Sequence, residues 1–179
     1  MVLMRVKARY PLSKKERRTL AKNLESLGRW AEELLSSAGK VELARALIGG
    51  TEVVAYIFDG LPLIIEAKDG ILEPCLYGLI RGRLGQGLPR VIVDRGAASA
   101  VARGARLMIP GIRSVEGDFG EGAIVLVVDE DSGVPVAVGR ALMSSEEMKR
   151  LVESKGRGAA VKPSQRPGDP YWRLCEQLA

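Results

Sequence analysis

Apolar and polar positions alternate over residues 2–10. Val6, Ala8 and Tyr10 fall on one side and Arg5, Lys7 and Arg9 on the other, which predicts a half-buried strand. Ser13 and Glu16 have capping-box spacing, with the serine side chain placed to accept from the Glu16 amide. A helix therefore starts there and runs to about Leu27, with Leu20, Leu24 and Leu27 along one face and Gly28 as its stop. Trp30 to Ser36 reads as a second short helix, and residues 41–48 fit helix and strand patterns equally. Residues 51–58 and 61–66 are β-rich runs joined by Asp59-Gly60, a two-residue hairpin signal. Pro62 lacks an N–H and so places the second run at a sheet edge. After Pro74 comes a short helix, Leu76 to Ile80, and then a glycine-rich stretch, residues 81–87, without hydrophobic periodicity. The domain boundary falls there, giving domains at 1–86 and 87–179, the second ending in a C-terminal tail.

In the second half, Arg90 to Val93 is a strand, Asp94 an N-cap, and a helix of small residues reaches about Arg103. Gly104 suits the left-handed position that ends a helix, and Pro110-Gly111 a tight turn. Residues 123–128 form a nearly continuous apolar run, the mark of a strand buried on both faces. Residues 131–133 turn the chain into a strand over 134–142. Ser144 and Glu147 repeat the capping box, Val161 lies in a last strand, and a proline-rich segment at 162–170 leads to Tyr171-Trp172.

Charge and chemistry change this picture in three ways. The net charge is +5, and residues 1–22 hold eight basic residues against the single acid Glu16, a pattern that suits a polyanionic partner. Histidine is absent, which removes the commonest general base and excludes a Ser-His-Asp triad. No phosphate-binding Gly-x-x-x-x-Gly-Lys loop occurs either, so the expectation is no enzyme and no cofactor. Cys75 and Cys175 lie a hundred residues apart, without metal-ligand spacing; they read as two reduced packing thiols, and a disulfide needs the two domains to bring them together. No apolar run is long enough to span a bilayer and Arg5, Lys7 and Arg9 sit where a signal peptide would be apolar, so no membrane role and a cytoplasmic location are expected. One asparagine and three glutamines fit a thermophile.

Several spaced motifs in the second half resemble the PUA family. They are Val93-Asp94-Arg95-Gly96-Ala97, Gly104-Ala105, Pro110-Gly111-Ile112, Gly122 to Val125, and Val136-Ala137-Val138-Gly139-Arg140-Ala141, together spanning about residues 88–163. The terminal Gly168-Asp169-Pro170-Tyr171-Trp172 is similar to a family motif that many archaeal relatives precede with a histidine, missing here. The first half, with its strand, helix, Asp-Gly hairpin and leucine helix after a proline, resembles the pre-PUA domain of the eukaryotic MCT and ligatin translation factors and their archaeal relatives. The resemblance implies an α+β chain: an N-terminal α/β pre-PUA domain followed by a PUA pseudo-β-barrel. It also implies RNA binding, to tRNA or small-subunit rRNA during initiation, reinitiation or recycling, with the small ribosomal subunit and another translation factor as partners. Two alternatives stay open: an RNA-binding accessory subunit that presents RNA to a separate modification enzyme, and a protein-interaction module without RNA binding.

Arg95, Arg103, Arg106, Arg113 and Arg140 are the candidate RNA ligands, because a guanidinium binds phosphate bidentately and stacks on bases. In the family, the loop after the first helix of the module lets a nucleic-acid backbone approach. Arg95, Arg103 and Arg106 are thus expected to flank one groove beside Gly104. Gly96, Gly104, Gly111 and Gly139 serve either tight packing or that approach, since bare backbone N–H groups can donate to phosphate. Lys14, Lys15, Arg18 and Lys22 share the first helix with Arg17 and form a candidate second RNA contact; positions 14, 18 and 22 lie on one face. Trp30 and Trp172 either stack on bases or pack in a core. Leu61 to Ile65 and Leu72 to Ile80, if exposed, form a face for a protein partner.

Overall fold

Val41–Ile48, ambiguous by pattern, is a strand, and pairing on both of its sides makes it one. In this computed structural model, which describes residues 2–67 and 69–179, the chain divides into two units: residues up to 87 together with 168–179, and residues 88–167. The first unit opens with β1 (Met4–Pro11), α1 (Lys14–Asn23), a 3-10 turn at Leu24–Leu27 and α2 (Gly28–Ser37). β2 (Val41–Ile48), β3 (Thr51–Phe58), β4 (Leu61–Glu66), β5 (Leu72–Pro74) and α3 (Leu76–Gly82) follow. The strands form an antiparallel sheet in the order β1-β2-β3-β4-β5, so β2 is held between β1 and β3. The Ser13 box is present in both directions: Ser13 Oγ accepts from Glu16 N at 3.2 Å, and Glu16 Oε2 accepts from Ser13 N at 2.8 Å.

Two expectations need correction here. Exposure alternates along β1 as expected, but a bulge between Val6 and Ala8 changes the face that the later residues take. Val6 pairs with Ala46 and Arg9 with Ala44, so these two share the face on which Val6 packs into the core. There Arg9 forms an ion pair with Glu42 at 3.2 Å, while Tyr10 turns to the opposite face and donates to Glu16. Pro62 is not on an edge strand, since β5 flanks β4. β5 pairs only with Ile64, Ile65 and Glu66, however, and stops short of the proline, whose β3 partner Ile57 lies beside a second register shift. The missing N–H is thus accommodated within an interior strand. Leu63, Ile64, Ile65, Leu72, Leu76 and Leu79 are all buried, so these segments are core and present no apolar face to a partner.

The second unit contains β6 (Arg90–Val93), α4 (Arg95–Ala102), β7 (Leu107–Met108), a 3-10 turn at Ile109–Gly111 and β8 (Ile112–Glu116). β9 (Ile124–Asp129), β10 (Pro135–Ala141), α5 (Ser145–Glu153) and β11 (Ala159–Gln165) complete it. Its curled sheet runs β7-β11-β10-β9-β6-β8, with β6 parallel to β9 and the other pairs antiparallel. Val91, Val93, Val125, Val127 and Val161 from the sheet meet Ala98 and Val101 of α4 and Met148 of α5 in one core. The apolar run of β9 is buried throughout Val125 to Val128, as its composition requires.

The tail, expected to close the second domain, instead completes the first. Proline at 163 does not prevent β11 from forming, and Pro170 opens α6 (Pro170–Leu178) at its first turn, where its missing N–H leaves nothing unsatisfied. Asp169 caps that helix, accepting from Trp172 N at 2.7 Å. Leu174, Cys175 and Leu178 then enter the first unit's core with Ala44, Val53, Ile57 and Ile65. Trp172 packs edge-on against Tyr77 with ring centroids 5.2 Å apart, and Trp30 is buried, so both tryptophans serve packing.

Candidate nucleic-acid interface

Helix α4 organises the candidate site. Its N-terminus is fixed by Asp94, whose Oδ1 accepts from Ala97 N at 2.7 Å. Its C-terminus closes in a Schellman arrangement: Ala105 N donates to Ala100 O at 3.1 Å and Gly104 N to Val101 O at 2.9 Å. Gly104 sits at φ +100°, a conformation that strains any residue with a Cβ. Its amide and that of Ala105 are therefore committed to the helix. The bare N–H groups expected to meet phosphate at this loop are not available, and the loop must act through side chains.

The other marked glycines divide by what a Cβ would touch. At Gly111 it would lie 2.5 Å from the Ala97 Cβ, so this glycine lets the Pro110 corner press against α4. At Gly139 it would lie 2.6 Å from Val161 Cγ1 and 2.8 Å from Lys162 O, across the β10–β11 pair. Both are packing glycines. Gly96 has room, its nearest neighbour being Asp94 Oδ1 at 3.5 Å.

The five arginines do not converge. Arg95 Nε lies 3.1 Å from Asp131 Oδ2, and Arg113 Nε 3.4 Å from Glu130 Oε1, both acids being on the turn between β9 and β10. Asp129 ties that turn together through the Ser132 hydroxyl at 2.9 Å and the Asp131 amide at 3.3 Å. The Ser132 hydroxyl, aided by backbone amides and by Arg95, holds the Asp129 carboxyl below the usual carboxylate range, so the turn keeps its negative charge. Arg103 and Arg106 lie beyond the other end of α4, roughly 12 Å along the helix from Arg95 at 1.5 Å per residue. Arg103 Nη1 donates to Ser99 Oγ at 2.6 Å, and neither arginine forms an ion pair among the described residues. Arg106 and Met108 project outward on either side of buried Leu107. Arg140 alternates with Ala137, Gly139 and Ala141 and so points to the sheet face away from α4.

A residue passed over in the sequence also lies at this end of α4. A Cβ on Gly104 would lie 3.2 Å from Arg166 Nε, which places the Arg166 guanidinium against the glycine. Antiparallel pairing of β11 with β7, Val161 opposite Leu107, carries Arg166 there. No spacing in the sequence announces it. Arg157 is exposed next to Gly158, whose carbonyl accepts from Ile109 N at 2.9 Å.

In the first unit, Lys14, Lys15, Arg18 and Lys22 are exposed on α1 and hold no ion pair among the described residues. Arg17 is different: its Nη2 donates to Leu35 O at 2.6 Å and Ala38 O at 2.7 Å, tying α1 to the end of α2. Lys14, Arg17, Arg18 and Glu32, with Ala21, Leu24 and Leu35, line a groove of about 460 Å³. No helix among the described residues is long and apolar enough to cross a membrane.

Residues 89–164 match the family model described as PUA domain. An uncharacterized protein of Methanocaldococcus jannaschii is 32% identical over 96% of this chain and 99% of its own. The chain belongs to the PUA-domain family. Translation machinery-associated protein 20 of Saccharomyces cerevisiae is 28% identical over 80% of this chain and 77% of that protein. The crystal structure of a PUA domain from Aeropyrum pernix K1, solved as a tartrate complex, superposes with a TM-score of 0.83 at 35% identity, covering 97% of this chain and 92% of that one. The likeness therefore includes the first unit as well as the PUA segment, and the mixed α+β architecture is that of PUA-family structures.

Proposed function

We propose that this protein binds structured RNA in translation, through the C-terminal end of α4 and the adjoining edge of the second sheet. The observation that carries the reading is the placement of Arg103, Arg106 and Arg166 around Gly104, while the acids of the β9–β10 turn lie with Arg95 and Arg113. Guanidinium groups beside a residue without a side chain suit a ribose-phosphate strand, which needs charge and close approach. Family membership and the relative named as translation machinery-associated support the translation setting. Within it, tRNA or small-subunit rRNA is the ligand and the small ribosomal subunit the assembly joined. Arg95, Arg113 and Arg140 are peripheral to this contact, and Gly111 is scaffold. The exposed Lys14, Lys15, Arg18 and Lys22, without ion pairs among the described residues, supply a second phosphate contact from the first unit. The role is binding; no group is assigned to catalysis.

The test is a titration of tRNA and of small-subunit rRNA fragments at several salt concentrations, with the wild type and an Arg103→Ala, Arg106→Ala, Arg166→Ala variant. Each lost phosphate contact lowers the log–log salt slope by roughly 0.7 to 0.9. An unchanged slope in the triple variant overturns the site. Sedimentation with ribosomal subunits tests the setting: absence from the small-subunit fraction, together with retained RNA affinity, favours an accessory RNA-presenting subunit.

A further inference from the structure

Cysteine occurs twice in the chain, 100 positions apart, and the fold puts both thiols in one place. Cys75 precedes the first turn of α3, and Cys175 lies in α6, the helix that returns to the first unit after the whole of residues 88–167. Both are 0% exposed, both belong to the cluster of Ala44, Ile57, Ile65 and Leu174, and α3 packs directly on α6. The two thiols thus become neighbours within the first unit, through the docking of the tail, and both are free cysteines in this structure. The two side chains share a hydrogen bond, and with burial it pushes the Cys175 thiol well above its usual range, so that thiol stays protonated in the folded protein. Among the described residues no third metal-ligating group joins them, so their adjacency does not form a metal site.

We infer that Cys75 and Cys175 are a disulfide site that fastens α6 to the first unit and closes the chain around the second. The reaction is thiol–disulfide exchange with a low-molecular-weight disulfide such as oxidised glutathione. One thiolate attacks and releases one glutathione; the second cysteine displaces the other, and two reduced glutathiones carry away the two protons and two electrons. Burial sets when this occurs. A thiol that is inaccessible and hard to ionise reacts poorly, so the bond forms while α6 is undocked, during folding or transient opening, and resists reductant once the helix is seated. Closing a loop of 100 residues removes much of the unfolded chain's freedom, because the effect grows with loop length.

The experiment uses the full chain, incubated with a glutathione redox buffer with and without mild guanidinium. Free thiols are then alkylated in strong denaturant, and intact mass and peptide mapping are read. The expected result is no alkylation, a peptide joining Cys75 to Cys175, and a Tm on the order of 10 °C above that of the reduced protein. The Cys175→Ala variant shows no intramolecular link and a Tm insensitive to oxidant; should it fail to fold, the oxidised and reduced wild type alone decide the matter. Two alkylated thiols after folding in the oxidising buffer, a link found only between molecules, or equal melting of the two forms overturns the inference.

Discussion

The two ends of α4 carry similar arginines in opposite company. At the N-terminal end, Arg95 and Arg113 face Asp131 and Glu130, and the turn that holds those acids is braced by Asp129. At the C-terminal end, Arg103 leans on a serine hydroxyl and Arg106 holds no ion pair among the described residues, while Arg166 lies over Gly104. A guanidinium already satisfied by a carboxylate must lose that partner before it can hold phosphate; one paired with a hydroxyl loses little. Arginine content alone therefore does not locate a polyanion site, and the distribution of acids does.

The largest effect expected from this contrast is at the open end. Replacing Arg103, Arg106 and Arg166 together by alanine lowers RNA affinity on the order of 100-fold at modest salt, measured by titration, if each contact contributes about 1 kcal/mol or more. Next comes the packing that positions this end. Gly111→Ala forces a Cβ to within 2.5 Å of Ala97 and costs about 1–3 kcal/mol in denaturant unfolding, whereas Gly96→Ala, whose Cβ would meet only Asp94 Oδ1 at an ordinary 3.5 Å, is neutral or slightly stabilising. Ser99→Asp places an acid one turn before Arg103 and turns the open end into a copy of the closed one; RNA affinity falls several-fold while stability changes by only about 0.3–0.5 kcal/mol. The smallest effect belongs to Arg95→Ala with Arg113→Ala: less than about twofold in RNA affinity and roughly 0–1 kcal/mol in stability, as for exposed ion pairs. A larger loss of binding there than at Arg103 and Arg106 inverts the comparison and moves the site to the other end of the helix.

Much of this was legible in the residues. The capping box at Ser13, the N-cap at Asp94, the terminator at Gly104, the Asp59-Gly60 hairpin and a strand within the apolar run 123–128, buried from Val125 to Val128, all depend on neighbours within a few positions, and all stand where periodicity and cap chemistry put them. The errors share a cause. The bulge in β1 follows from its register against β2, Pro62 depends on where β5 stops, and the tail's home depends on which core has room for Leu174 and Leu178. Arg166 reached the site only through strand pairing, and the amides of Gly104 and Ala105 were spent on the helix end that the glycine itself had announced.

By itself the sequence determined the caps, the turns and most of the local elements, the family and an excess of positive charge, because each rests on residues close together in the chain or on simple totals. The tertiary structure decided which arginines stand against the acids of the β9–β10 turn and which gather beside Gly104, which glycines pack and which one turns, and that two cysteines a hundred residues apart share one core. Those are contacts between distant segments, and such contacts leave no spacing in the chain from which to read them.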